Sequence, residues 1–307
     1  MTSVPDERLE RLAKIFDSKK IIPNTFSFVD IAGLVQGASG GEGLGNKFLS
    51  HIMEVDLIIH VVRCFQDDEI THVHNKIDPI ADLEVINAEL FIKDLESLEK
   101  REAKILSSIK KVKDPKEKSA LEVEIDLSRK AKTALESNSY FDVIKIVEEA
   151  REKEVSMIPL LSAKKSLVIA NVSEEDFTTT AYEEFPFYKE LIKKYGEKKV
   201  IPVSAKIESE LSQLSAEEQK EIRDSLEMSG GGLGNVISSS FSELNMISFF
   251  TCGPKEAHAW QVKKGSTAPE AAGQIHSDLQ RGFICADVYN YSDIESLGSE
   301  QAVKNEG

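Results

Sequence analysis

The sequence predicts an α/β protein: a parallel sheet with flanking helices, interrupted by a long helical arm and followed by a smaller strand-rich unit. Three observations carry that expectation. Short apolar runs at Phe26 to Val29, Asp56 to Phe65, Ser166 to Ala170 and Val200 to Val203 each lead into a polar or glycine-bearing stretch, as strands of an open α/β sheet do. Between the second and third runs, residues 82 to 153 hold almost no glycine and many Glu, Lys and Leu, with apolar residues spaced alternately by four and three. After the last run, Ile247 to Cys252 opens a further strand pattern.

Length and composition bound the function. A chain of 307 residues exceeds the usual size of a single core, so two or three structural units are expected. No run approaches the roughly 20 apolar residues of a membrane span, and the start, MTSVPDERLE, has no apolar signal region, so a cytosolic protein without membrane contact is expected. Three cysteines, Cys64, Cys252 and Cys285, are too few and too scattered for a disulfide framework or a zinc site. The net charge of −15 opposes non-specific nucleic-acid binding, so any such contact must come from a local basic patch.

Taken in order, Met1 to Lys20 places Leu9, Leu12, Ala13 and Phe16 at helical spacing. Phe26 to Val29 reads as a buried strand ending on Asp30, and Gly33, Gly37, Gly40, Gly41 and Gly43 follow before a helical pattern starts at Gly45. An acid at the carboxyl end of a parallel strand, with a glycine just beyond, is where such sheets bind phosphate. Asp30 suits a Mg²⁺-bound water and the Gly33 N–H a terminal phosphate oxygen. By itself Asp-x-x-Gly is common and reads more readily as a plain strand-to-turn aspartate. Asp56 to Phe65 is a near-continuous apolar run, expected to be buried on both faces beside the Asp30 strand. Gln66 to Asp78 is a polar loop carrying His72 and His74.

In the arm, Phe91, Leu95, Leu98, Glu102, Ile105, Ile109 and Val112 form one seam, Asp114-Pro115 stops the helix, and Val123, Leu127, Ala131 and Ala134 form a facing stripe. The expectation is an antiparallel coiled-coil arm whose tip is basic, with Lys110, Lys111, Lys113, Lys116 and Lys118 outnumbering Asp114 and Glu117. That tip is an ordinary solvated turn or a contact point for RNA or protein. Ser166 to Ala170 then delivers Asn171-Val172-Ser173-Glu174, which also reads as a helix cap with a capping-box glutamate. Val200 to Val203 ends in Ser204-Ala205-Lys206, a tripeptide that recurs by chance at Ser162-Ala163-Lys164. An acidic helix is expected over Glu208 to Leu226, and Thr267 is expected to cap a helix from Ala268 to Leu279 that carries His276 in a structural role.

The whole string from Asp30 to Leu49, DIAGLVQGASGGEGLGNKFL, resembles the third guanine-nucleotide motif and switch II of the Obg-related P-loop NTPases. With Val61-Val62-Arg63-Cys64-Phe65, the helical insert and the carboxyl-terminal segment, the chain resembles the YchF family, called Obg-like ATPase in eukaryotes, over nearly all of its length. That resemblance implies a Ras-like P-loop NTPase sheet over residues 1–81 and 156–246, a coiled-coil insert over 82–155, and a partial TGS domain over 247–307. The TGS domain is a ubiquitin-like α+β module shared with threonyl-tRNA synthetases and stringent-response enzymes.

It implies hydrolysis of ATP, and of GTP less well, with Mg²⁺ held through water by Asp30 and the γ-phosphate sensed by Gly33. Leu34 stands where ordinary GTPases carry a water-orienting Gln, and the family assigns that role to a loop histidine, at His72 here. Asn171 and Val172 would contact adenine. Glu174 stands where GTPases use Asp, so the two-point grip on guanine is compromised by one extra methylene. Ser204, Ala205 and Lys206 would approach the base edge. Partners would be the large ribosomal subunit, through RNA or protein contacts of the arm and the TGS domain.

The phosphate-binding motif Gly-x-x-x-x-Gly-Lys-Ser/Thr is not found in the sequence; GGEGLGNK at Gly40 to Lys47 offers only glycines and a lysine. In the resembled family that motif lies upstream of the segment matched by Pro5 to Leu9, so the chain is expected to start after it. It is expected to stop at Gly307 before the last strands of the TGS module. The alternative is a non-catalytic ribosome- or protein-binding module, with a weak purine binder lacking turnover between the two.

Overall fold

The structure is a computed structural model that describes residues 1–4, 6–31, 46–66, 77–225 and 232–306. In chain order the elements begin with β1 (Thr2–Ser3), α1 (Glu7–Ile15), β2 (Ile21–Ile22), β3 (Thr25–Phe26), α2 (Asn46–Glu54), β4 (Leu57–Arg63), α3 (Pro79–Ser108), α4 (Pro115–Glu136) and α5 (Tyr140–Glu152). They continue with β5 (Lys165–Asn171), α6 (Glu174–Thr178), α7 (Pro186–Tyr195), β6 (Val200–Val203), α8 (Ala205–Leu211), α9 (Ala216–Ser225) and α10 (Leu233–Glu243). The last are β7 (Met246–Cys252), β8 (Ala257–Lys263), α11 (Ala268–Ile275), α12 (Ser277–Arg281), α13 (Tyr291–Leu297) and α14 (Glu300–Glu306). No described helix is long and apolar enough to cross a membrane.

Contacts divide the chain into two compact units, residues 31–207 and residues 1–30 with 208–307. This cuts the chain differently from the sequence modules expected above.

In the first unit β4, β5 and β6 form a parallel sheet in that order. The register sets Arg63 opposite Asn171 and Asn171 opposite Val203, so the three carboxyl ends lie in one row. Val62, Cys64, Val168, Ala170, Val172 and Val200 pack with Leu83, Tyr182, Tyr188 and Leu191 in one core. Burial without a charged partner pushes the Cys64 thiol up to about 12, so it stays protonated.

Two sequence expectations fail here. β4 is not buried on both faces: Val62 is 5% exposed but Val61, on the opposite face, is 65% exposed, and among the described residues β4 is an edge strand with β5 as its ladder neighbour. Nor does a strand run to Asp30. A strand lasts as long as its ladder, and β3 pairs antiparallel with β1 through Thr25 and Phe26 alone. Phe28 and Val29 beyond it are 39% and 56% exposed and enter no ladder among the described residues.

The arm forms as the seam spacing requires, with α5 as a third helix. Leu98, Leu127, Ala131 and Val143 are fully enclosed, with Phe91, Ile146 and Ala150 around them. Each enclosed leucine contributes about 2 kcal/mol by leaving water. Proline starts helices here: Asp78 caps α3 ahead of Pro79, and Asp114 caps α4 ahead of Pro115, where a missing N–H costs nothing. The tip between them is a short 3₁₀ turn, Ile109–Lys111.

In the second unit β7 and β8 form an antiparallel hairpin, and β2 adds parallel to β8. Helix α1 lays Leu9 and Ala13 on the face made by Phe250, Cys252, Ala257 and Ala259. Asp6 caps it by accepting from the Arg8 N–H. The helix expected over Glu208 to Leu226 is two, α8 and α9, and the one expected from Ala268 breaks at His276. Thr267 donates its N–H and hydroxyl to Glu270 at the start of α11, and His276 Nδ1 accepts from the Asp278 N–H, a structural task at the helix junction.

Candidate functional site

The carboxyl ends of β5 and β6 converge on one loop pair. Two backbone bonds hold the row: the Cys64 N–H donates to the Asn171 carbonyl at 2.8 Å, and the Val172 N–H to the Val203 carbonyl at 2.9 Å. Ser173 then caps α6, its Oγ accepting from the Asp176 N–H at 3.0 Å and donating to Asp176 Oδ2 at 2.5 Å. The capping role that Asn171 and Glu174 were also able to fill therefore falls to Ser173 and Asp176.

Asn171 is left for another task. Its Oδ1 accepts from the Ala205 N–H at 3.0 Å, bracing the loop after β5 against the loop after β6. The described residues supply no partner for its Nδ2 donors. Glu174, at the first position of α6, accepts from Lys206 Nζ at 2.8 Å, with both side chains largely in solvent. So exposed a pair stabilises the fold little. It holds the carboxylate and ammonium beside the brace.

Val172 is 2% exposed and belongs to the core, so its side chain anchors the loop from below. Ser204 is 1% exposed, and its Oγ has no hydrogen-bond partner among the described residues. A buried hydroxyl left unpaired is costly and is commonly satisfied by a ligand or water.

The structure thus brings Asn171, Val172, Glu174, Ser204, Ala205 and Lys206 together. Asp30 is exposed at the end of a coil segment in the other unit. Gly33, His72 and His74 lie outside the described residues.

Two features escaped sequence reasoning. Arg63, used above only as part of a family string, ends β4 in register with Asn171; its Nε donates to the Phe65 carbonyl at 3.1 Å and its guanidinium lies 4.9 Å from the Phe65 ring centre. Asp94, on α3 and 1% exposed, accepts from the Leu161 and Ser162 N–H groups at 2.8 Å each and from Ser162 Oγ at 2.6 Å. Burial pushes its carboxyl up, against the pull of those three donors. In the same loop Lys164 Nζ donates to the Met53 carbonyl at 2.9 Å and to the Val55 carbonyl, at the end of α2. Residues 161–164 therefore tie the arm and α2 to β5, which delivers Asn171. The signal available was an acid on the apolar side of the arm between Phe91 and Leu98.

Against known proteins, a family model described as 50S ribosome-binding GTPase matches residues 11–111. A YchF GTPase carboxyl-terminal model, described as a protein of unknown function, matches residues 246–307. The chain is 44% identical over 310 residues to the ribosome-binding ATPase YchF of Bacillus subtilis (strain 168), covering 100% of this chain and 82% of that protein. The protein of the same name in Escherichia coli O157:H7 is 38% identical over 304 residues, covering 99% of this chain and 81% of its own. Among solved structures, the Schizosaccharomyces pombe YchF GTPase aligns with a TM-score of 0.82 at 34% identity, covering 100% of this chain and 81% of that one.

Proposed function

The chain belongs to the YchF family, and from that premise we propose that it is a cytosolic nucleotide hydrolase that cleaves the β–γ phosphoanhydride of ATP, and of GTP less well, and couples the nucleotide to ribosome binding. The observation that supports this reading is the brace at the carboxyl end of the parallel sheet, Asn171 Oδ1 to the Ala205 N–H, with Glu174 and Lys206 beside it.

On this reading the purine edge meets Asn171, whose Nδ2 donors suit a ring nitrogen, and the loop of Ser204, Ala205 and Lys206. The Val172 side chain supports that loop from the core. Glu174 is drawn to Lys206 and is one methylene longer than aspartate, so it does not grip both N–H donors of guanine. That favours a site tolerant of adenine. Gly33 would sense the γ-phosphate and His72 would position the attacking water.

Asp30 is an exposed carboxylate, a hard oxygen donor that fits Mg²⁺ held through water. A cation held in that way needs no cluster of acids, and none of three or more converges among the described residues. When bound, Mg²⁺ neutralises charge on the β- and γ-phosphate oxygens. The modules follow the sequence: nucleotide domain over 1–81 and 156–246, arm over 82–155, TGS domain over 247–307. The arm and the TGS domain would reach the large ribosomal subunit.

The test is a fluorescence titration of labelled ATP and GTP, with Mg²⁺, against this chain, its Asn171→Ala variant, and a chain extended by a relative's Gly-x-x-x-x-Gly-Lys-Ser/Thr segment. ATP is expected to bind the extended chain more tightly than GTP does. Asn171→Ala in that extended chain should weaken ATP about tenfold, the worth of one good polar contact. If no chain binds either nucleotide, the assignments at Asn171 and Asp30 fall and the non-catalytic ribosome-binding module takes over.

A further inference from the structure

We propose that Lys206 selects adenine over guanine, its ammonium donating a hydrogen bond to N1 of the adenine ring. This deepens the hydrolase reading above and rests on it for the seat of the purine. The observation behind it is where that ammonium lies. Lys206 Nζ is 2.8 Å from Glu174 Oε2, and Glu174 holds the place where GTPases set the aspartate that accepts from guanine.

The backbone puts Lys206 there. Val203, the last residue of β6, is in register with Asn171, the last residue of β5. Two residues on, the Ala205 N–H donates to Asn171 Oδ1 at 3.0 Å, which pins the main chain immediately before Lys206. Glu174 is fixed from the other loop, at the first position of α6 behind the Ser173 cap. The carboxylate and the ammonium therefore meet beside the brace, each on a backbone that the sheet has placed.

The purine edge decides what such a pair recognises. On the edge that GTPases read with aspartate, guanine presents two donors, N1–H and the 2-amino group. Adenine presents the N1 lone pair and a C2–H. A carboxylate alone would set acceptor against acceptor with adenine. An ammonium carries three donors, so Lys206 keeps its bond to Glu174 while donating to N1. Against guanine the same ammonium sets donor against donor, and the carboxylate that could have answered is already engaged. A site built on a matched donor rejects the wrong edge because polar groups are then left unpaired.

Glu174 is in this scheme a positioning residue. It anchors the end of a flexible stem that solvent alone would not hold in one place. Both side chains are largely exposed, so the pair adds little to the stability of the fold and replacing either leaves the fold intact.

The experiment displaces labelled ATP, with Mg²⁺, by ATP, GTP and 1-deaza-ATP, in which C–H replaces N1. The parents are the full chain and the same chain extended as above, each compared with Lys206→Met, Lys206→Arg and Glu174→Gln. The parent that binds ATP should bind 1-deaza-ATP about tenfold more weakly, the worth of one charge-assisted contact. Lys206→Met should bind ATP and 1-deaza-ATP alike and gain affinity for GTP as Glu174 is released. Lys206→Arg should restore the penalty for 1-deaza-ATP in part, and Glu174→Gln, which slackens the hold on Lys206, should fall between parent and Lys206→Met. A lysine that merely supported the loop would weaken both adenine nucleotides equally. An equal penalty in parent and Lys206→Met, no penalty in either, or a ratio of ATP to GTP affinity unchanged by Lys206→Met would overturn the proposal while ATP binding keeps the hydrolase reading standing. Failure of both parents to bind any nucleotide would defeat the hydrolase reading and this one with it.

Discussion

Asn171 and His60 show how one side chain carries a site or a pH response. Asn171 is the last residue of β5, so its position is set by the ladder while its side chain is released to brace Ala205. His60, in the middle of β4, is held by burial at about 4, down from its ordinary 6.5, with no charged group offsetting the effect. The folded chain thus refuses a proton that the unfolded chain accepts between about pH 6.5 and pH 4. More protons on the unfolded state means that stability falls as the pH drops through that window. Urea unfolding of the natural chain should lose about 2 kcal/mol more between pH 7 and pH 5 than that of His60→Gln. Parallel losses in the two proteins would show that His60 titrates normally when folded.

At the scale of elements, the loop of residues 161–164 is the joint between arm, α2 and sheet. Three donors converge on Asp94, and Leu161 packs with Leu49, Ile52 and Leu90. Asp94→Ala strands two buried N–H groups and one hydroxyl, and is expected to cost about 3 kcal/mol. Asp94→Asn, which keeps the shape but offers fewer acceptors, should cost less. Denaturant midpoints at constant slope measure both; a loss below about 1 kcal/mol for the alanine variant would mean the joint is held by Leu161 packing and the Lys164 bonds without Asp94. The arm carries a second lock, with Arg101 donating to both oxygens of Glu124 at 2.6 and 2.9 Å, Glu124 being 3% exposed. The cost of taking both charges out of water offsets much of their attraction, so the pair adds little net stability.

At the scale of the whole molecule, each compact unit has cores of its own: Val168 and Leu191 sit in one, Leu9 and Ala259 in the other. Scanning calorimetry is therefore expected to show a van't Hoff enthalpy below the calorimetric one, the mark of more than one unfolding step. Equal enthalpies would reject independent units.

What the residues alone determined was local and periodic. The four-three spacing from Phe91 to Val112 implied the arm, the runs at Ser166 and Val200 located β5 and β6, and the order of Asn171, Glu174 and Ser204-Ala205-Lys206 pointed to the loops that meet. These depend on side-chain periodicity and chain order, which the sequence displays directly. Only the tertiary structure decided which groups pair across the chain. Ser173 took the cap and freed Asn171, Val172 sank into the core, Asp94 found donors in and beside a tripeptide dismissed as a chance repeat, and α1 and β2 packed on β7 and β8. An apolar run records that it seeks burial but not beside what, so Asp56 to Phe65 became a half-exposed edge strand and Phe26 to Val29 yielded only the end of a two-residue ladder.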